Sequence, residues 1–276
     1  MPMFSGNMTL LRRTHRIRGL RAALVAALVA LLSAALVPVG FAITNDQMPG
    51  PIHAGNTYGW YWKHNLWRQE FESGIPSFWN TNGRGTVREQ HGMISLEASR
   101  GSATATLTGH AHRYGRWEVR LRSNRYETGG ANYKVVTELV PARAAYHCGA
   151  SNIGLESYRI GTTRAHLYDR TLPDHEYRAV QHVRFRSNYF HTYAVEVTRT
   201  HISWFVDAHV VRTERRPAAL SGQLMTFRFA LVAQPGQRMN HSRMQADWVR
   251  YWSYNRPSTR SIKAPQMTSG LYGEAC

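Results

Sequence analysis

Cysteine, lysine and helix-spaced apolar residues are all scarce in this chain of 276 residues. Only Cys148 and Cys276 carry thiols. Two cysteines so far apart do not make a metal site. The 14 histidines show no ligand spacing beyond chance pairs such as His110-Ala111-His112, so no metal or other cofactor is expected. After residue 43 no segment keeps an apolar stripe at helical spacing for three turns, which excludes a helix bundle. A single apolar run, near the start, approaches the length of a membrane-spanning helix, and nothing later in the chain resembles a second one. Internal repeats and low-complexity tracts are missing as well. Lysine is confined to Lys63, Lys134 and Lys263; arginine supplies the rest of the 34 basic residues, set against 17 acidic ones. An arginine fork suits carboxylates and phosphates, and the excess positive charge favours anionic wall polymers or acidic glycans as neighbours. Neither a run of basic residues nor a helical recognition pattern is present, so nucleic acid is not an expected partner.

What is present begins with a leader. Arg12, Arg13, Arg16, Arg18 and Arg21 precede an apolar run from Ala22 to about Val37, and Gly40-Phe41-Ala42 supplies small residues at the −3 and −1 positions of a cleavage site. This pattern predicts a secretory signal over residues 1–42, with an uncleaved anchor as the alternative. The protein is then secreted or associated with the cell wall, and it has no membrane contact once the leader is removed. Without those five arginines the net charge falls from +17 to +12, because the leader holds no acidic residue. In an exported chain the two cysteines suit one disulfide, Cys148–Cys276, which would tie the last residue beside the segment around Cys148.

Residues 43–67 read as an irregular, aromatic-rich lead-in containing Tyr58, Trp60, Tyr61, Trp62 and Trp67. The pattern then changes to short period-two segments. Ile94, Leu96 and Ala98 alternate with polar neighbours, as do Trp117, Val119 and Leu121. The same alternation recurs at Tyr193, Val195 and Val197, at Ile202, Trp204 and Val206, and at Met225, Phe227, Phe229 and Leu231. Many short strands at close spacing predict an all-β fold, two antiparallel sheets packed face to face, over residues 68–254. Residues 255–276 turn to Pro, Ser, Thr and Gly and read as a surface tail.

Several segments carry a resemblance. Glu70-Phe71-Glu72 with Trp79 comes first, then Gly92-Met93-Ile94-Ser95-Leu96 and Tyr114-Gly115-Arg116-Trp117-Glu118-Val119-Arg120. His191-Thr192-Tyr193-Ala194-Val195-Glu196-Val197, Ile202-Ser203-Trp204-Phe205-Val206-Asp207 and Asp247-Trp248-Val249-Arg250-Tyr251 follow in order. Together they resemble glycoside hydrolase family 16. The resemblance implies a jelly-roll sandwich with a concave cleft for a β-glucan or galactan chain. It also implies a retaining mechanism, in which two carboxyl groups ~5–5.5 Å apart act as nucleophile and acid/base. Family members place Glu, Asp and Glu at alternate positions of one strand, so that all three face the cleft.

The matching strand here reads Asn152-Ile153-Gly154-Leu155-Glu156. By register Asn152 takes the nucleophile position, Gly154 that of the central Asp, and Glu156 that of the acid/base. An amide is a poor nucleophile and carries no charge to stabilise an oxocarbenium ion. Glu138, on the preceding strand, is a candidate compensating carboxylate; held close to Glu156 it would raise one of the two pKa values, as an acid/base assignment needs. Its alternative role is an ion pair with arginine. The resemblance makes Trp79 and Tyr158 candidates for stacking on a sugar, with His147, His175 and His191 at the rim. Glu196 and Asp207 read as scaffold, and Asp207-Ala208 departs from the Asp-Gly turn expected there. Three readings stay open: a hydrolase with a rearranged carboxylate pair, a catalytically silent, lectin-like binder of wall polysaccharide, and, least favoured, a basic binder of nucleic acid or another anionic polymer.

Overall fold

The structure is a computed structural model, and it describes residues 53–60, 66–143, 149–185, 188–253 and 263–273. The leader, His147 and the cysteine pair lie outside the described residues. Among those described, a short helix α1 (Ala54–Thr57) precedes β1 (Leu66–Gln69), β2 (Trp79–Gly83), β3 (Thr86–Glu89), β4 (Ile94–Ala98) and β5 (Ala103–Leu107). The chain continues through β6 (Gly115–Arg125), β7 (Lys134–Pro141), β8 (Ile153–Arg159), β9 (Arg164–Thr171) and β10 (His175–His182). It ends with β11 (His191–Val197), β12 (Ile202–Val206), β13 (His209–Glu214), β14 (Met225–Val232), β15 (Ser242–Trp252) and β16 (Thr268–Leu271).

These strands form two antiparallel sheets, as the alternation predicts. The first runs β13-β12-β11-β6-β15-β4-β3, with β1 also paired to β15; the second runs β16-β10-β9-β8-β7-β14-β5-β2. One core lies between them. The first sheet contributes Trp117, Val119 and Leu121 from β6 and Trp204 from β12; the second contributes Leu139 from β7 and Phe227 and Phe229 from β14. All are the apolar members of the period-two segments, because successive side chains of a strand point to opposite faces. Fully burying each is worth ~1.5–3 kcal/mol.

Two segments differ from the sequence reading. The lead-in is ordered around α1 and lies on the outer face of the first sheet, where Ala54 and Trp60 join Ala194, Phe205 and Trp252 in a second apolar cluster. Glu118 of β6 points to that face and accepts the first backbone N–H groups of α1, from Ala54 at 2.5 Å and Gly55 at 3.2 Å. The tail also docks: β16 pairs with β10 at the edge of the second sheet, from His175↔Leu271 to Arg178↔Thr268. Its sequence, Thr-Ser-Gly-Leu, has no apolar alternation; backbone pairing and the buried Met267 hold it.

The hairpin from β12 to β13 keeps a two-residue turn, Val206 pairing with His209. Asp207 and Ala208 both take positive φ, 48° and 64°. The turn therefore has the left-handed conformation that Asp-Gly would give, with alanine in glycine's place.

Candidate functional site

The candidate site lies on the outer face of the second sheet, around β8. Asn152 and Gly154 face outward as the alternation predicts. Asn152 donates its amide N–H to Glu138 Oε2 at 2.8 Å, and Gly154 pairs with Glu138 across β7.

Glu156 does not share that face. The β7–β8 pairing shifts by one residue: Glu138 opposes Gly154, whereas Thr137 opposes Glu156. Leu155 is thus an extra residue, a β-bulge, and everything after it changes side. Thr137 falls between Val135 and Leu139, both core residues, so Glu156 turns inward with it and is completely buried. Ser157 takes the outward position instead. At the bulge the core indole of Trp204 donates to the Gly154 carbonyl at 2.9 Å, a contact between the two sheets.

Inside, neither oxygen of Glu156 has a hydrogen-bond partner among the described residues, and the hydroxyls of Thr137 and Tyr193 are equally without one there. Burial pushes the Glu156 carboxyl up to about 8, outweighing the opposing pull of the nearby Thr137 hydroxyl and of Lys134. An ionised carboxylate there would be costly, so the neutral form is favoured. Glu156 as a cleft acid is therefore corrected: its proton has no path to a sugar on the outer face.

Glu138 does face outward, but it is engaged on both oxygens. Arg228 of β14 donates twice to Oε1, at 2.9 and 2.5 Å, and Tyr168 of β9 donates to Oε2 at 2.6 Å beside the Asn152 amide. Charge-assisted bonds of this kind are the stronger ones, and they fix Glu138 as a structural anion. The pair of Glu138 with Glu156 does not form, because the sheet separates them.

Tyr168 fills the place of the absent central Asp. A Cβ on Gly154 would stand 2.3 Å from the Tyr168 ring, so only glycine allows this ring to lie across β8. Beyond Tyr168 the face becomes a row of charge. The Arg170 guanidinium sits between two rings, 4.3 Å from Tyr168 and 3.6 Å from Tyr272, and its Nε donates to Glu176 at 3.0 Å. Arg178 approaches the same carboxylate at 3.6 Å, with its side chain 65% exposed. Lys134, Arg159 and His166 complete an open depression of about 280 Å³ beside these residues. Burial, then the like charge of Arg170, lowers the Lys134 ammonium below its usual range.

The remaining candidates sit elsewhere. Trp79 is a core residue, stacked on Phe229 at 5.5 Å and tilted against Phe71. Tyr158 is buried, stacked on Phe185 at 3.8 Å with its hydroxyl on Ser123. Neither can stack on a sugar; the bulge keeps Tyr158 inward. His191 is a satisfied group, bonded to Asp207 at 2.9 Å and to the Arg184 carbonyl, and it lies on the first sheet. His175 is exposed at the start of β10, outside the depression. Glu196 is buried between Arg116 and His201, and Asp207 also accepts the Thr192 N–H; both hold the fold.

Lys134, Arg159, Tyr168, Arg170, Glu176, Arg178 and Arg228 escaped the sequence reading. A signal existed: in Arg164-Ala165-His166-Leu167-Tyr168-Asp169-Arg170 every outward position is basic or aromatic. A larger groove of about 830 Å³ lies between residues 99–102 and 233–239, and it contains no residue of β8. Among the described residues no group of His, Cys, Asp and Glu could hold a metal ion.

Residues 76–250 match the family model described as Glycosyl hydrolases family 16. The laminarinase from Rhodothermus marinus superposes with a TM-score of 0.57 at 18% identity, covering 70% of this chain and 98% of that one. The catalytic domain of an endo-1,3-beta-glucanase from Thermotoga petrophila RKU-1 gives 0.56 at 14% identity, with 69% and 97% covered. The laminarinase from Flavobacterium sp. UMI-01 gives 0.54 at 14% identity, with 68% and 99% covered. Among curated proteins none matches.

Proposed function

The chain belongs to glycosyl hydrolase family 16, and from that membership we propose that it binds a β-linked polysaccharide on the outer face of its second sheet without cleaving it. The observation that carries this reading is the bulge at Leu155, which turns Glu156 into the core and leaves the acid/base position of this face without its carboxyl group. A retaining glycosidase needs two carboxyl groups ~5–5.5 Å apart across the glycosidic bond, and an inverting one needs two within about 10 Å. On this face Glu138 is bound to Arg228, and Glu176 to Arg170. The leader supports export, so the polysaccharide would be met in the cell wall or outside the cell.

A second reading is hydrolysis through a displaced pair. It is favoured by one observation: Glu138 of β7 and Glu176 of β10 both lie on the outer face, with β8 and β9 between them. The test is reducing-sugar release from β-glucans and galactans, run beside retention on the same glycans. The binder predicts retention with no release, in the wild type and in Asn152→Glu alike, because restoring one carboxylate leaves the acid buried. Release that Glu138→Gln abolishes would replace the binder with the hydrolase.

A further inference from the structure

We propose that the ligand of this face is an acidic glycan, a chain bearing carboxylate or sulfate groups, with Lys134 and Arg178 pairing with its anionic groups. The proposal deepens the binding reading above and rests on it. Around the depression stand four cations, Lys134, Arg159, Arg170 and Arg178, against one carboxylate, Glu176. Glu176 already serves Arg170 and Arg178 together, so cations outnumber carboxylates along the lining of the depression. Lys134 makes the point most clearly. It is half-buried on β7 and forms no hydrogen bond or ion pair with any described residue, while β8 places Arg159 directly opposite it. Two cations side by side repel unless an anion lies between or above them.

The geometry suits a polymer rather than a single ion. Lys134, Arg159, His166 and Arg178 sit on four successive strands, β7 to β10, so their positions advance across the sheet at ~4.8 Å per strand. A chain crossing the strands would pass one cation after another. Arg170 is fixed between Tyr168 and Tyr272 and bonded to Glu176. Its planar fork is thereby oriented before any ligand arrives, which reduces the ordering that binding requires. Arg159 donates to the Asn132 carbonyl at 2.9 Å, a neutral acceptor, and a neutral glucan would bring no anion to the Lys134–Arg159 pair.

The test is affinity electrophoresis through gels containing polygalacturonate, a sulfated galactan or neutral laminarin, at low and physiological salt. Lys134→Met/Arg178→Gln is compared with Arg68→Gln/Arg199→Gln, which removes the same charge from exposed positions on and beside the first sheet. The acidic gels should retard the wild type. The Lys134/Arg178 variant should bind about tenfold more weakly or worse, and the control should change less than about twofold. Which acidic gel retards more separates carboxylate from sulfate. Equal losses in the two double variants would overturn the proposal, by showing attraction to any polyanion. So would single-stranded DNA competing as well as the free acidic glycan. Laminarin bound as tightly as the acidic chains, and equally by both variants, would overturn the acidic ligand while leaving glycan binding intact. Retention by no gel would overturn glycan binding itself.

Discussion

A single buried carboxyl shows how local placement decides chemistry. Glu156 has the residue type and sequence position of a catalytic acid, but it lies in the interior with neither oxygen bonded by any described residue. Its folded-state pKa, about 8, is above the ordinary carboxylate value of 4.5. The folded protein therefore holds this proton where the unfolded chain releases it. Stability from this group is fully present below about pH 4.5 and is lost as pH rises toward 8. At ~1.4 kcal/mol per pH unit the loss is at most ~5 kcal/mol, less wherever the neighbourhood relaxes. Glu156→Gln keeps the shape and removes the ionisation. Urea denaturation across pH should show the variant gaining on the wild type by a few kcal/mol between pH 5 and 9. A constant difference across that range would mean that Glu156 meets water in the folded protein. Trp79, Tyr158 and His191 teach the same lesson at this scale. Their side-chain types suit a sugar, but only the neighbours Phe229, Phe185 and Asp207 reveal that each is already occupied.

At the level of strands, the alternation of apolar residues was readable almost throughout. Trp117-Val119-Leu121 and Phe227-Phe229-Leu231 point into the core as their period requires. The bulge was not readable, because Ile153, Leu155 and Tyr158 are apolar on either side of the slip and nothing local marks where the count changes. Its anchor is distant in sequence: the Trp204 indole on the Gly154 carbonyl. Trp204→Phe keeps most of the buried ring and removes the donor. It is expected to cost ~2–4 kcal/mol, the sum of lost packing and an unanswered carbonyl. Amide exchange along β8 should rise more than along β12; an equal rise in both strands would count against the indole as the holder of the bulge. The β16 strand was hidden for another reason. An edge strand of Thr, Ser and Gly is recruited by backbone pairing to β10, which leaves no trace in side-chain pattern.

Over the whole molecule, the fold was legible from strand count and family-like segments, while the character of the outer face was not. The basic excess in the sequence is diffuse, and only the sheet gathers Lys134, Arg159, Arg170 and Arg178 into one place. The opposite face carries the lead-in. Trp60 packs edge-on against Phe205 and Trp252 at 5.2 and 5.5 Å, below the Arg116 guanidinium. Trp60→Ala should loosen residues 53–60 without unfolding the sandwich. A protease is expected to cut there much faster, while the main unfolding transition drops by ~3 kcal/mol or less. Loss of the entire sandwich on this change would make the lead-in part of the central core.

The seat of that lead-in also sets an orientation. Residues 53–60 cover the back of the first sheet, and the arginine row looks out from the other side. An approaching chain therefore meets the charged front with the full thickness of both sheets behind it.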